Sequence, residues 1–286
     1  MAACRLKISP LLPLILDLAD HPADKYLVIK ALQQYGDQLF KDIQLLPEDT
    51  LRHHAADFIK IAAVVKGENC KKFLLTGIHE LSHQTSKTIH ALWMQDYAPS
   101  QVSETATLNM LLHKYLKMGI AKIADHHHIP EYNNEKEIVK NSLFSEVKAD
   151  LMVSLKICSM LFKKKAISRV LELMEIEQQQ KLYNAMEMIE LELPKTISKD
   201  LILLFDFILD PSGNRAAVDN KGAKTLFNKI YFSDSFSYNP WTKAILLYCS
   251  WKNNKTDDLE NIVEKKDLGE HYIITETKDF VLKAIN

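Results

Sequence analysis

Residues Lys165–Pro211 read "KAISRVLELMEIEQQQKLYNAMEMIELELPKTISKDLILLFDFILDP". Three amphipathic helical patterns follow one another here, separated by a few polar residues or by Pro194. Each apolar stripe is too wide to leave in water, and each helix is too short to stand alone. Such helices must stack on neighbours, and a chain built wholly of them is a solenoid. The predicted fold is therefore all-α, a right-handed α-solenoid of stacked antiparallel helix pairs.

Composition agrees with that reading. The chain has 286 residues, of which 47% are hydrophobic and 26% charged, ordinary values for a globular protein. Glycine is the exception, with only 7 residues. Hairpins, phosphate loops and nucleophile elbows all consume glycine, so a chain this poor in it excludes Rossmann, P-loop and hairpin-rich β architectures. The formal net charge of −1 provides no global field for nucleic acid or acidic membranes, and no nucleic-acid partner is expected. Cys4, Cys70, Cys158 and Cys249 are far apart and form no C-x-x-C, the pattern of buried thiols in a reduced, cytoplasmic protein. No run approaches the roughly 20 apolar residues needed to span a bilayer. The N-terminal apolar stretch carries Pro10, Pro13, Asp17 and Asp20, which suits a first core helix capped by Ser9 rather than a signal peptide.

Periodicity predicts helices over Ser9–Ala19, Asp24–Ile43, Pro47–Lys66, Cys70–Gln95, Ser100–Asp125, Glu135–Phe162, Ala166–Glu175, Gln178–Leu193, Lys195–Leu209, Gly222–Ser233, Asn239–Lys252, Asp257–Lys265 and His271–Ile285. Prolines 22, 47, 99, 130, 194, 211 and 240 punctuate them. No period-2 strand run is evident. The chain is expected to form one helical-repeat domain over residues 1–286, with a candidate hinge at Asp210–Gly222, where glycine and proline cluster. Ala23–Gly36, Lys181–Leu193 and His271–Ile285 share a pattern with a small or short residue (Ala31, Ala185, Thr277) inside the apolar stripe, where neighbouring helices can approach.

Several of these runs resemble the HEAT-repeat class of α-solenoids. They are most similar to the repeat regions that accompany nucleotide-translocase-like and major-facilitator-like transporters in bacteria. Asn184–Glu190 ("NAMEMIE") is similar to that group's "N-A-L-E-L-L-D" run, and Asp200–Asp206 to its "L-L-L-P-L-L-D" run. Leu143–Phe162 resembles the preceding long helix, and Asn239–Tyr248 with Tyr272–Leu282 the final repeat. The resemblance implies a non-catalytic domain that binds a protein or peptide partner, with association to a membrane transporter as one form of that role. It implies no cofactor.

One motif opposes the scaffold reading. His79-Glu80-Leu81-Ser82-His83 matches H-E-x-x-H, which on a helix places two imidazoles on one face for zinc, with Glu80 as general base. Glu104 and His90 are the candidate third ligands. Yet the chain holds 11 histidines, and no strand run is present to hold a substrate beside such a helix. The metal reading through His79, Glu80 and His83 is thus the alternative, a zinc metallopeptidase. The primary reading assigns no catalytic and no metal-binding residue. His126-His127-His128 reads as a polar loop at a helix end, and His53-His54 as neighbours pointing to different faces of one helix. Trp93, Trp241 and Trp251 are expected in packing between helices.

Overall fold

The computed structural model describes residues 11–80, 84–129, 135–163, 165–175, 179–211, 223–234, 237–253 and 271–285. Among them the chain forms fifteen α-helices and no strand. The all-helical expectation is met. Ser9 and Pro10, the helix expected over Asp257–Lys265, and 212–222 of the expected hinge lie outside the described residues. The chain divides into two compact units, 1–109 with 156–163, and 110–155 with 164–286.

The first unit opens with α1 (Leu12–Ala19) and α2 (Pro22–Tyr35), which pack as a pair. Pro22 starts α2, where a missing N–H costs nothing. The single helix expected over Asp24–Ile43 is two helices. Gly36 has φ +72°, a left-handed conformation that glycine adopts freely, and it ends α2 before α3 (Gln38–Ile43) begins. Pro47–Lys66 also divides. His54, at φ −94° and ψ 7°, separates α4 (Glu48–His53) from α5 (Ala55–Ala62). The unit continues with α6 (Glu68–Glu80) and α7 (Thr85–Met94). Leu39, Phe40, Ile43, Phe58, Ile61 and Leu74 are fully buried here, and Phe73 lies 5.3 Å from the Phe40 ring.

Helix ends in this unit are closed by side chains from elsewhere in the chain. The Asp37 carboxylate accepts from the Cys70 amide (2.8 Å), the Asn69 amide (3.3 Å) and the Asn69 side-chain amide (2.8 Å). The two backbone amides belong to the first turn of α6, where N–H groups have no partner within their own helix. The buried Gln95 side chain donates to Ala62 O and Val65 O, both at 2.6 Å, closing the end of α5. α7 ends in a Schellman arrangement: Tyr97 N–H reaches Leu92 O (3.2 Å), Asp96 N–H reaches Trp93 O (3.0 Å), and Asp96 takes φ +52°. An aspartate holds the position where glycine is usual.

Two long helices, α8 (Val102–His127) and α9 (Lys136–Phe162), contribute residues to both units. The second unit adds α10 (Lys165–Glu175), α11 (Gln179–Glu192), α12 (Lys195–Leu209), α13 (Ala223–Tyr231), α14 (Pro240–Lys252) and α15 (Tyr272–Ile285). Consecutive helices pack on each other: α10 on α11, α11 on α12, α13 on α14, and α14 on α15. Gly119 of α8 lets the buried Leu204 of α12 come so close that a Cβ would meet its methyl at 2.7 Å. A core of Val139, Leu143, Phe227, Ile230, Leu246, Leu247 and Val281 gathers α9, α13, α14 and α15. Cys70, Cys158 and Cys249 are buried free thiols, as expected, and burial pushes their pKa values up to about 12, 12 and 11. Cys4 lies outside the described residues.

A Cβ on Gly67 would collide with the Asp37 carboxylate. Gly67→Ala is therefore expected to cost about 1–3 kcal/mol by crowding, and Asp37→Ala about 1–2 kcal/mol by removing the cap. The costs should not add, because Asp37→Ala removes the group that a methyl at position 67 would strike. Urea unfolding of both single variants and the double variant checks this; strict additivity would rule out the contact as the cause.

Candidate functional site

Along the second unit, α14 and α15 leave an open apolar groove of about 460 Å³ between them. It is lined by Ile138, Trp241, Ile245, Tyr248, Ile273 and Phe280, with Glu276 among its few polar neighbours. Trp241 is 57% exposed and Phe280 54% exposed. The packing role expected for Trp241 is corrected by its exposure. Asn239 caps α14 by accepting from Thr242 N–H at 2.8 Å, Pro240 takes the first helical position, and Trp241 comes out on the groove side of the first turn. Tyr248, Trp251 and Phe280 form an aromatic cluster with ring centroids 5.8–6.1 Å apart. Lys252 anchors the far end of α14 by donating to Glu135 at 2.5 Å.

A buried charge network meets the start of α14. Lys122 of α8 is 3% exposed and donates to Glu146 at 2.8 Å and Asp150 at 2.7 Å, both on α9. Its ammonium also sits 5.5 Å from the Tyr238 ring centroid. The Glu146 carboxylate accepts the Asn239 amide at 3.0 Å. Asp125, one turn along α8, accepts from Lys229 of α13 at 2.5 Å and from the Tyr238 hydroxyl. Ser142 of α9 and Thr242 of α14 share a buried hydroxyl bond of 2.7 Å. Burial by itself lowers the Lys122 pKa, but Asp150 and Glu146 outweigh it and the net direction is up. Burial pushes Asp150 up to about 6, against the pull of the Lys122 ammonium, and the neighbouring Glu146 carboxylate adds to the rise. The sign follows from linkage: the folded state holds the Asp150 proton more tightly than the unfolded chain. Asp150's contribution is thus most favourable below its ordinary 3.8 and declines as pH rises to about 6. Lys122, Asp125, Glu146 and Asp150 are paired and buried, while Lys229 reaches in from a half-exposed position, an arrangement that suits the group to holding helices.

The side chains of the H-E-x-x-H motif lie outside the described residues: His79 and Glu80 end α6, and Leu81, Ser82 and His83 follow it. Its candidate third ligands are engaged elsewhere. Glu104 accepts from the Ser100 amide (2.8 Å) and the Gln101 amide (3.1 Å), half of a capping box at the start of α8, and the Ser100 bond holds its pKa below the usual range. His90 accepts from Lys156 at 3.0 Å and stacks on Trp93.

Two readings of histidine pairs are corrected. His126 and His127 form the last turn of α8 rather than a polar loop. The His126 ring packs edge-on against Phe207 at 4.9 Å, and burial pushes its pKa down to about 4. His53 and His54 do not diverge, because the helix breaks between them, and their rings meet edge to face at 4.6 Å. His53 Nε2 donates to Asp20 Oδ1 at 2.8 Å. That cluster has no spacing signature, since Asp20 is 33 positions away from His53.

In comparisons with known proteins, no family model, no curated protein and no solved structure matches this chain.

Lys122→Met leaves two buried carboxylates without their cation and is expected to destabilise the protein by about 3–5 kcal/mol. Neutralising the carboxylates as well, in Lys122→Met/Glu146→Gln/Asp150→Asn, should recover a large part of that loss. Chemical denaturation of the full chain checks both; a single variant as stable as the wild type would contradict the clamp.

Proposed function

We propose that this protein is a non-enzymatic helical scaffold that binds a protein or peptide partner in the groove between α14 and α15. The observation that carries the reading is the exposed pair Trp241 and Phe280 on either side of an apolar cavity of about 460 Å³. Exposed apolar patches of this kind mark interaction surfaces, and aromatic residues dominate the binding energy where they occur. An amphipathic helix laid along α14 and α15 would place apolar side chains at i, i+3 or i+4, and i+7 against Ile245, Tyr248 and Ile273. The reading assigns no catalytic step and no cofactor.

The finer architecture, a right-handed stack of HEAT-like helix pairs, belongs to the same proposal. It is supported in the first unit, where α2 packs on α5, α3 on α6 and α5 on α7. First helices thus meet first helices and second helices meet second, as in a repeat stack. Attachment to a membrane transporter is proposed on the sequence resemblance alone. No helix among the described residues is long and apolar enough to cross a membrane.

Selection of binders from a displayed random-peptide library against the full chain tests the groove. Enriched peptides are expected to carry helix-spaced apolar residues and to bind Trp241→Ala or Phe280→Ala at least about tenfold more weakly, the cost of one anchor. Peptides that bind both variants as tightly as wild type would place the binding surface elsewhere.

A further inference from the structure

The first unit brings together three metal-type donors in a place that the groove does not use. Asp20 follows the last residue of α1 at the tight turn into α2, His53 is the last residue of α4, and His54 occupies the break before α5. One donor atom from each lies within 4.8 Å of the others. We propose that this corner binds one divalent transition-metal ion of the zinc type, through Asp20, His53 and His54, with a fourth position left to water or to a partner's side chain.

The geometry is close to what the ion requires. Zinc bonds of about 2.0–2.1 Å in a tetrahedron place the donors roughly 3.3 Å apart. Asp20 and His53 already stand 2.8 Å apart, joined by a hydrogen bond whose proton the metal would replace. The remaining closure is about 1.5 Å, within reach of side-chain rotation at the two exposed donors. His54 is buried, packs on Phe58 at a ring distance of 6.1 Å, and supplies the fixed point of the site. An ordinary ion pair accounts for Asp20 and His53, but exposed pairs of this kind contribute little. It gives no role to a second imidazole turned edge-on to the first.

The donor set selects the ion. Two imidazoles and one carboxylate suit zinc or its neighbours in the transition series, whereas calcium and magnesium favour oxygen-rich sites. Around the cluster, Lys25 pairs with Asp57 at 2.8 Å, leaving Asp20 as the carboxylate beside the two rings. Asp57 is itself buried and lies three residues beyond His54 on α5. Its carboxylate is met by Lys25 and by Lys60 at 3.7 Å, so the site draws its negative charge from Asp20. The break at His54 is the device that makes the site: in an unbroken helix, adjacent residues point about 100° apart and could not share one ion.

The test uses the full chain, stripped by chelator and titrated with zinc against a chromophoric competitor. The variants are Asp20→Asn and His53→Ala, both at exposed positions, with His79→Ala and His127→Ala as controls for the other histidine clusters. One equivalent of zinc is expected in the wild type and in both controls. Affinity should fall at least about tenfold in Asp20→Asn and His53→Ala. Zinc should also raise the melting temperature of the wild type and not of His53→Ala, whose own fold is checked by circular dichroism. No bound zinc in the wild type would overturn the proposal. So would an equivalent that persists in His53→Ala and disappears in His79→Ala or His127→Ala.

Discussion

The second unit depends on one ammonium group. Lys122 projects from α8 into a nearly dry space and meets Glu146 and Asp150 of α9. Removing a charge from water costs several kcal/mol, and only close opposite charges and full hydrogen bonding offset it. The network meets that demand by drawing in further elements. Glu146 binds the backbone at Asn239 and so fixes where α14 starts. Asp125 binds Lys229 and the Tyr238 hydroxyl and so fixes α13 and the approach to α14. The clamp therefore specifies register as much as it stabilises. Apolar side chains alone would let α14 slide along α9, whereas Glu146 and Ser142 can pair with Asn239 and Thr242 in only one position.

Scarcity of glycine shapes the rest of the molecule. A chain with 7 glycines must end many helices by other means. It uses remote side chains, Asp37 for α6 and Gln95 for α5, and accepts left-handed backbone at Asp96 and Lys163. Each remote cap ties one helix to a segment distant in sequence, 33 positions away in both cases, so closing a helix end and fixing tertiary packing become the same interaction. Three of the described glycines stand where a side chain would be strained or crowded. Gly36 has a positive φ, Gly67 faces the Asp37 carboxylate, and Gly119 meets Leu204.

Much of this was legible in the sequence. Apolar spacing predicts the helices of 102–162 and 165–209 nearly to the residue, because burial of one face dictates both period and length. The breaks at Gly36 and His54 were not legible. Gly36 lies inside a continuing apolar stripe, and His54 has no breaker signature, so only tertiary packing decides that the chain turns there. The candidate groove was not legible: Trp241 reads as a packing residue in the sequence, and its exposure depends on how Asn239 is held. The Asp20, His53 and His54 corner was illegible, since donors 33 residues apart carry no local spacing and the intact helix expected over 47–66 separates the two imidazoles. Conversely, H-E-x-x-H is the most conspicuous motif in the sequence, and its candidate third ligands are occupied, Glu104 by a helix cap and His90 by Lys156.

Buried network and exposed groove form one account. The network holds α9, α13 and α14 in fixed register, and that register brings Ile138 and Trp241 into the lining of the cavity that Phe280 shares. The most direct measurement is hydrogen exchange at the Asn239 amide. A residue at this position caps its helix, and its own N–H has no partner inside the helix, so ordinary exposure would leave it fast. With Glu146 accepting it beside Lys122, the account predicts protection comparable to amides in the middle of α9. An Asn239 amide that exchanges at the rate of unstructured chain, while α9 stays protected, would contradict the clamp and the groove it positions.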